Sequence, residues 1–353
     1  MAEKVLMKGN EALAEAAIQA GCRHYFGYPI TPQTEVAAYM AKRMPKIGGI
    51  FLQAESEVAA INMVYGVASA GKRVMTSSSS PGISLKAEGI SYLAGADLPA
   101  FIVNVQRGGP GLGGIQPSQS DYFQATRGCG HGDYHVIVLA PSGVQEMADL
   151  TVKAFDLADE YRMPAMILAD GTMGQMMEPV VMGNYTPKVI EKPWATTGTG
   201  MKRPHNVVNS LYLNPEALER TNFERYERYK IIEAKETMYE SFLMEDAEYC
   251  VAAFGIAARV SKNAVLAARA EGIKVGMIRP ITLWPFPTAP FAEAADKVKA
   301  FVSVELSMGQ MIEDVRLATG CKKPVTLCNR VGGMIPSPEQ VLAHLREIAG
   351  GAK

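Results

Sequence analysis

Charge of one sign is what this sequence lacks. Its 353 residues carry 35 Lys and Arg against 36 Asp and Glu, a formal net charge of −1. That balance argues against a nucleic-acid binder, which works through a broad basic field. Long apolar runs are missing too. None approaches the ~20 consecutive apolar residues of a membrane helix, so no membrane partner is expected. The opening stretch MAEKVLMKGNEALAEAA has acids mixed in and lacks the apolar core of a signal peptide. Cysteine is scarce: five lie at 22, 129, 250, 321 and 328, with no CxxC pair. That count and spacing argue against a disulfide framework, a structural zinc site or an iron–sulfur cluster held by this chain alone. The expected location is the cytoplasm.

What is there reads as globular, with 48% hydrophobic and 20% charged residues. At roughly 150 residues per domain, two domains are expected. The surface scaling laws give about 75% of the unfolded surface buried, enough for large cores.

Residues 1–180 alternate between helix and strand patterns. Strands are expected over 24–28, 49–52, 73–77, 100–106, 135–140 and 164–170. Helices are expected over 11–20, 33–44, 57–70, 82–95 and 143–161. Gly21 suits the end of the first helix and Pro32 the first turn of the second. Residues 181–247 are rich in Pro, Gly, Thr and Asn before a charged, helix-like NFERYERYKIIEAKETMYESF, and read as an ordered, irregular connector. Residues 248–353 resume the alternation as a second, smaller domain. Its expected strands cover 249–255, 273–280, 300–306 and 324–329, and its helices 257–271, 309–319 and 337–349. The fold class is therefore α/β, two domains with mainly parallel sheets.

Two nucleotide motifs nearly occur. Gly66-VASA-Gly71-Lys72-Arg73 resembles a P-loop, but Arg replaces the hydroxyl residue and the glycines fall in a helix and at its end. Gly71 is better explained as a helix C-cap. Gly109-Pro-Gly111-Leu-Gly-Gly114 fits GxGxxG, yet IQPSQ follows where a helix is required. It reads instead as a glycine-rich loop that passes close to a ligand or partner. Cys129 and His131 lack further metal ligands nearby in the sequence.

Four segments carry more: GYPITP (27–32), QAESEVAAINMVYGVASAG (53–71), TSSSSPG (76–82) and NVQRGGPG (104–111). Each lies at or just beyond an expected strand end, where open α/β sheets bind ligands. A carboxylate (Glu55 or Glu57), a hydroxyl (Thr31) and a guanidinium (Arg107) could converge there. Singly, each has an ordinary explanation. Glu57 suits a helix N-terminus, Thr31 an N-cap before Pro32, Arg107 a surface ion pair, and Ser77 to Ser80 a turn. No GxSxG elbow of a serine hydrolase occurs.

Together these segments resemble the alpha subunit of 2-oxoacid:ferredoxin oxidoreductases, most closely the branched-chain (2-oxoisovalerate) type. The resemblance runs almost end to end. It rests on GNEALAEAAIQAGCRHYFGYPITPQTE, the ESEVAA helix, TSSSSPGISL, NVQRGGPG, IKVGMIRPITLWPFP and VELSMGQM. It implies a pyrimidine-binding domain of the thiamine diphosphate type, then a transketolase C-terminal-like domain. It places the cofactor glutamate on Glu57, nine residues before Gly66. That carboxyl would bond to N1′ of the aminopyrimidine and favour its imino tautomer. The resemblance also implies that Thr31 and Arg107 contact the oxoacid, and that Tyr28 and Pro29 help line the pyrimidine pocket. Arg107 would take the substrate carboxylate. Arg279 and Glu305, at strand ends of the second domain, are expected to be structural.

The GDG motif of a diphosphate-binding half is absent; Ala169-Asp170-Gly171 comes nearest. The resemblance therefore implies a beta subunit that supplies the diphosphate site, Mg2+ and a proximal [4Fe–4S] cluster. Gamma and ferredoxin-like delta subunits are expected beside it. Coenzyme A would be the acyl acceptor and ferredoxin the electron acceptor. A pyruvate- or 2-oxoglutarate-specific member and a non-catalytic scaffold subunit remain the alternatives.

Overall fold

Period-two and period-3.6 patterns alternate along the chain, and the computed structural model, which describes residues 4–183 and 185–350, turns them into three sheets. The first stretch runs β1 (Lys4–Lys8), α1 (Gly9–Gln19), β2 (His24–Gly27), α2 (Thr34–Arg43), β3 (Ile50–Gln53) and α3 (Glu57–Ser69). It continues through β4 (Val74–Ser78), α4 (Ser80–Gly95), β5 (Ala100–Gln106), α5 (Tyr122–Thr126) and β6 (Ile137–Leu139). Then come α6 (Val144–Tyr161), β7 (Pro164–Asp170), α7 (Gly171–Gln175) and β8 (Met177–Val181). Beyond an irregular stretch follow α8 (Pro215–Lys235), β9 (Tyr239–Phe242), β10 (Tyr249–Ala252), α9 (Gly255–Ala270), β11 (Val275–Pro280) and β12 (Thr282–Trp284). The chain finishes with α10 (Thr288–Ala295), β13 (Ala300–Glu305), α11 (Met311–Ala318), β14 (Val325–Asn329) and α12 (Pro338–Gly350).

The large sheet has the order β12-β6-β7-β5-β4-β2-β3 and is parallel except for β12, which runs antiparallel to β6. β5 (AFIVNVQ) and β7 (PAMILAD) are buried at all seven positions, as strands covered on both faces by helices must be. α6 buries Val144, Met147, Ala148, Thr151, Ala154, Phe155 and Ala158, a stripe of helical spacing. The second sheet has the order β14-β13-β10-β11-β9, with β9 antiparallel to β11. α9 and α12 cover its own core of Val251, Val275, Val302, Val304, Val341 and Leu345. β1 and β8 pair as an antiparallel ribbon whose strands the sequence pattern does not announce.

Elements that were not expected have local causes. Asn214 caps α8 by accepting from the Ala217 amide at 3.0 Å, with Pro215 at the first helical position. The helix therefore starts before the charged run and stops at Lys235, which frees Tyr239–Phe242 to edge the second sheet. Arg279 is buried and binds Glu146 of α6 through both Nη atoms, at 2.9 and 2.8 Å, and Glu240 of β9 at 2.9 Å. Glu305 accepts from the amides of Gln310, Met311 and Ile312 and so anchors the start of α11. Both are structural, as expected. Gly71 ends α3 with a left-handed φ of +73° while its amide reaches Ala68 O at 2.8 Å, so the near-P-loop is a helix C-cap. Cys129 packs beside the Tyr134 hydroxyl, and among the described residues no three His, Cys, Asp or Glu side chains cluster as for a metal.

Candidate active site

From β2 the chain goes outward to edge strand β3, then returns across β2 to β4 on its other side. Strand order reverses between β2 and β4, which opens a crevice beyond their carboxyl ends. The four sequence segments lie at or beyond the carboxyl ends of β2, β3, β4 and β5.

Glu57 is the first residue of α3, behind an N-cap in which Ser56 Oγ accepts from the Ala59 amide at 3.1 Å. Glu57 is 5% exposed, whereas Glu55 is exposed. Its side chain lies against Gly82 of α4. A Cβ at Gly82 would strike Ser78 Oγ and come within 2.7 Å of Glu57 Oε1. Glycine is what lets the carboxyl in. The Glu57 carboxyl makes no ion pair among the described residues, and the buried hydroxyls of Thr76, Ser78 and Ser79 have no partners there either.

The 28–33 loop is held from inside. Ser77 Oγ donates to Gln33 Oε1 at 2.5 Å, and Gln33 Nε2 donates to Tyr28 O at 3.3 Å. Ser77 has one proton, so the Tyr25 hydroxyl donates to Ser77 at 2.7 Å. Burial pushes the Tyr25 phenol up to about 12, which keeps it a donor. Three expectations are corrected here. Ser77 and Ser78 belong to β4 rather than a turn, with Ser79 at the N-cap position of α4 and Ser80 opening the helix. Thr31 is not the cap of α2, and Pro32 is not in its first turn. The cap position falls on Gln33, because its side chain is drawn into the buried Ser77 network. Tyr28, Pro29 and Thr31 all lie on the exposed rim.

Arg107 follows β5, is 7% exposed, and makes no ion pair among the described residues. Nη1 donates to Thr31 O at 2.9 Å and Nη2 to Leu112 O at 3.0 Å, while buried Nε has no partner. This is not a surface ion pair but a buried guanidinium braced by two carbonyls, with Nε unpaired among the described residues. Its amide donates to Ser80 Oγ at 3.0 Å, which ties β5 to the first turn of α4. Ser80 Oγ and Asn104 Nδ2 both donate to Asp121, whose carboxyl burial pushes up. The glycine-rich run 109–114 is an exposed loop with no helix before Tyr122, so it is no dinucleotide motif. A cavity of about 820 Å³ lies beyond, lined by Ser80, Arg107, Gly108, Asp121, Met308 and Gln310 among others.

The structure thus ties Arg107 to Thr31 directly, and sets Glu57 against Gly82 of α4, whose first turn also bonds Arg107, with Tyr28 and Pro29 exposed beside Thr31. Sequence reasoning missed Gln33, Ser77 as a network member, Asp121 and Lys86. The last had a signal: one lysine at a position of α4 that shares a face with Gly82 and Gly89.

A largely parallel sheet with a buried carboxyl and a buried guanidinium beyond its strand ends is the architecture of an α/β ligand-binding protein. The family "Pyruvate flavodoxin/ferredoxin oxidoreductase, thiamine diP-bdg" matches residues 15–248. "Pyruvate:ferredoxin oxidoreductase core domain II" matches residues 247–341. The chain belongs to this pyruvate flavodoxin/ferredoxin oxidoreductase family, as a subunit of the 2-oxoacid:ferredoxin oxidoreductase kind, with a thiamine diphosphate-binding domain. It is 52% identical over 349 residues to ketoisovalerate oxidoreductase subunit VorB of Methanothermobacter marburgensis, covering 98% of each chain. It is 36% identical over 371 residues to 2-oxoglutarate synthase subunit KorA of Methanothermobacter thermautotrophicus, covering 97% of this chain and 98% of that one. The solved 2-oxoglutarate:ferredoxin oxidoreductase from Magnetococcus marinus, with 2-oxoglutarate, coenzyme A and succinyl-CoA bound, superposes with a TM-score of 0.89 at 29% identity. That match covers 98% of this chain and 65% of the longer one. A split-gene transketolase shares the fold at a TM-score of 0.60 and 15% identity. The family resemblance and the α/β fold class read from the sequence are confirmed. No helix among the described residues is long and apolar enough to cross a membrane.

Proposed function

We propose that this chain is the pyrimidine-binding alpha subunit of a complex that converts a branched-chain 2-oxoacid and coenzyme A to acyl-CoA and CO2, with two electrons passed to ferredoxin. The observation that carries the reading is the Glu57 carboxyl, buried against a side-chain-less Gly82 at the start of α4, the turn that also bonds the Arg107 amide. These residues fit an aminopyrimidine: a buried carboxyl awaits a donor, and only glycine leaves room beside it. Thiamine diphosphate, when bound, supplies a nucleophilic carbon and an electron sink. Glu57 holds a proton at N1′ of the pyrimidine, and Tyr28 and Pro29 line that ring from the rim. The Gln33–Ser77–Tyr25 network fixes the loop that carries them. Arg107 binds the oxoacid carboxylate by exchanging its Leu112 bond for the ligand. Thr31, tied to Arg107 through its carbonyl, faces the same ligand.

Residues 1–180 serve as the pyrimidine-binding unit, 181–247 as connector and 248–353 as the transketolase C-terminal-like unit. Asp170, the nearest approach to a metal-binding GDG, is spent on the amides of Thr172 and Met173 at 2.9 and 3.0 Å. A beta subunit therefore supplies the diphosphate site, Mg2+ and a [4Fe–4S] cluster, with gamma and ferredoxin-like delta subunits completing the complex in the cytoplasm. The 52% identity to a ketoisovalerate subunit, against 36% to a 2-oxoglutarate one, supports the branched-chain substrate.

The test is the complex isolated through a tag on this chain, assayed for bound thiamine diphosphate and for turnover of 2-oxoisovalerate, pyruvate and 2-oxoglutarate. Glu57→Gln is expected to lower turnover by ~100-fold or more, in the range of a lost acid–base group. Full activity of that variant would support the scaffold alternative. Preference for pyruvate or 2-oxoglutarate would overturn the substrate.

A further inference from the structure

One buried charge beside the crevice has no part in the function above. Lys86 is 0% exposed, and its ammonium has no hydrogen-bond partner among the described residues. It sits on α4 four residues after Gly82 and three before Gly89, a spacing that sets all three on one helix face. That face meets α3. A Cβ at Gly82 would come 2.7 Å from Glu57 Oε1, and one at Gly89 would press on Ile61, one turn along α3 from Glu57. Lys86 lies between these two contacts, inside the α3–α4 seam.

A lone ammonium in a dry seam is costly, and an apolar side chain would fill the space without that cost. What lysine adds is a positive charge. Glu57, whose Oε1 lies against Gly82 one turn back on the same face of α4, is the carboxyl that α3 brings to this seam. The other neighbours of α4 are engaged elsewhere. Arg107, after β5, bonds the Thr31 and Leu112 carbonyls; Asp170 of β7 caps α7; Asp121 is held by Ser80 and Asn104. On the 128–134 loop, Cys129 and Tyr134 pair with each other and His131 packs edge-on against Tyr92. Burial draws the Lys86 ammonium down to about 8, and Glu57 pulls it back toward the charged form.

We propose that Lys86 is a positioning residue whose ammonium balances the Glu57 carboxylate across the α3–α4 seam, so that Glu57 stays anionic while holding a proton at N1′ of a bound aminopyrimidine. This rests on the function proposed for Glu57. As N1′ gains one proton, the 4′-amino group gives one up. The ring stays neutral, the carboxylate keeps its charge, and Lys86 supplies the opposite one.

The assembled complex is the material for the test. Wild type and Lys86→Met are titrated with thiamine diphosphate by calorimetry, and the near-ultraviolet circular dichroism of the imino tautomer is followed across the neutral pH range. In Lys86→Met the Kd is expected to rise about tenfold or more, and the midpoint of the imino signal to move to higher pH. An unchanged midpoint in a folded variant overturns the proposal, whether or not the Kd moves, because lost packing alone can weaken binding. Should Lys86→Met fail to assemble, the comparison is Glu57→Gln against Glu57→Gln with Lys86→Met in denaturant. Charge balance predicts that the double variant recovers stability lost in the single one, and no recovery overturns it. A wild-type complex without the cofactor would overturn the function proposed for Glu57 instead.

Discussion

Gly82 stands in the first turns of a helix, where alanine is intrinsically the better helix former by about 1 kcal/mol. Site geometry argues the other way, since the added methyl would meet Ser78 Oγ and Glu57 Oε1. Both atoms end short or flexible side chains that can turn aside. Gly82→Ala is therefore expected to fold with its melting temperature nearly unchanged, yet to bind thiamine diphosphate at least ~10-fold more weakly because Glu57 is displaced. Calorimetric titration beside a thermal melt of the complex separates the two. Equal affinity would mean that Glu57 does not depend on the gap at Gly82. At this scale the sequence revealed the residues that face the crevice and hid those that support them. Glu57 and Arg107 stand in motifs that resemble a family, while Gln33, Ser77 and Lys86 act through tertiary neighbours far along the chain, and no local pattern reports such partners. Gln33 and Ser77 are 44 residues apart.

Among elements, β5 and β7 matched their expected spans residue for residue, because fully buried strands read as unbroken apolar runs. β1, β8, β9 and β12 did not, since each is three to five residues long and borrows its stability from a partner strand. The Arg that disqualifies the near-P-loop also has its explanation at this scale. Arg73 reaches Asp159 at 2.8 Å, Asp156 at 2.6 Å and Ala20 O at 2.6 Å, while Lys192 of the connector also holds Asp159. The arginine thus pins α6 to the start of β4, and the connector closes over it. Arg73→Met strands the buried Asp159 with only Lys192 for a partner. Breaking a buried pair of this kind typically costs about 3 kcal/mol, and lower resistance to urea would register it. Arg73→Lys should recover little, since one ammonium cannot serve three acceptors set out for a planar fork. Wild-type resistance in both variants would show that Lys192 alone suffices.

At the scale of the whole molecule, the two large sheets are joined by polar groups that sit deep in the junction. β12 leaves the second half to edge the first sheet. Gln119 binds Leu306 and Phe254 backbone atoms, and Tyr122 donates to Asp314 at 2.6 Å. Asp170 belongs to the same junction: its carboxyl caps α7, and the Ile256 amide at the start of α9 also bonds it. Full burial outweighs those bonds and pushes the carboxyl from 3.8 up to about 6. A raised carboxyl pKa means that the folded chain holds the proton more tightly than the unfolded one. Stability from this group is then present below the unfolded value of 3.8 and declines as pH rises through about 6. Asp170→Asn keeps an oxygen for the α7 amides and removes the titration. Its stability relative to wild type should therefore improve between about pH 4 and pH 6, by a change on the order of 2–3 kcal/mol, and level off above. Denaturant midpoints of both proteins measured side by side across that window isolate the contribution of Asp170, because every other titrating group is common to the two. A difference that stays flat with pH would mean that the Asp170 carboxylate remains ionised in the junction, and that its three amide bonds, rather than burial, decide its charge.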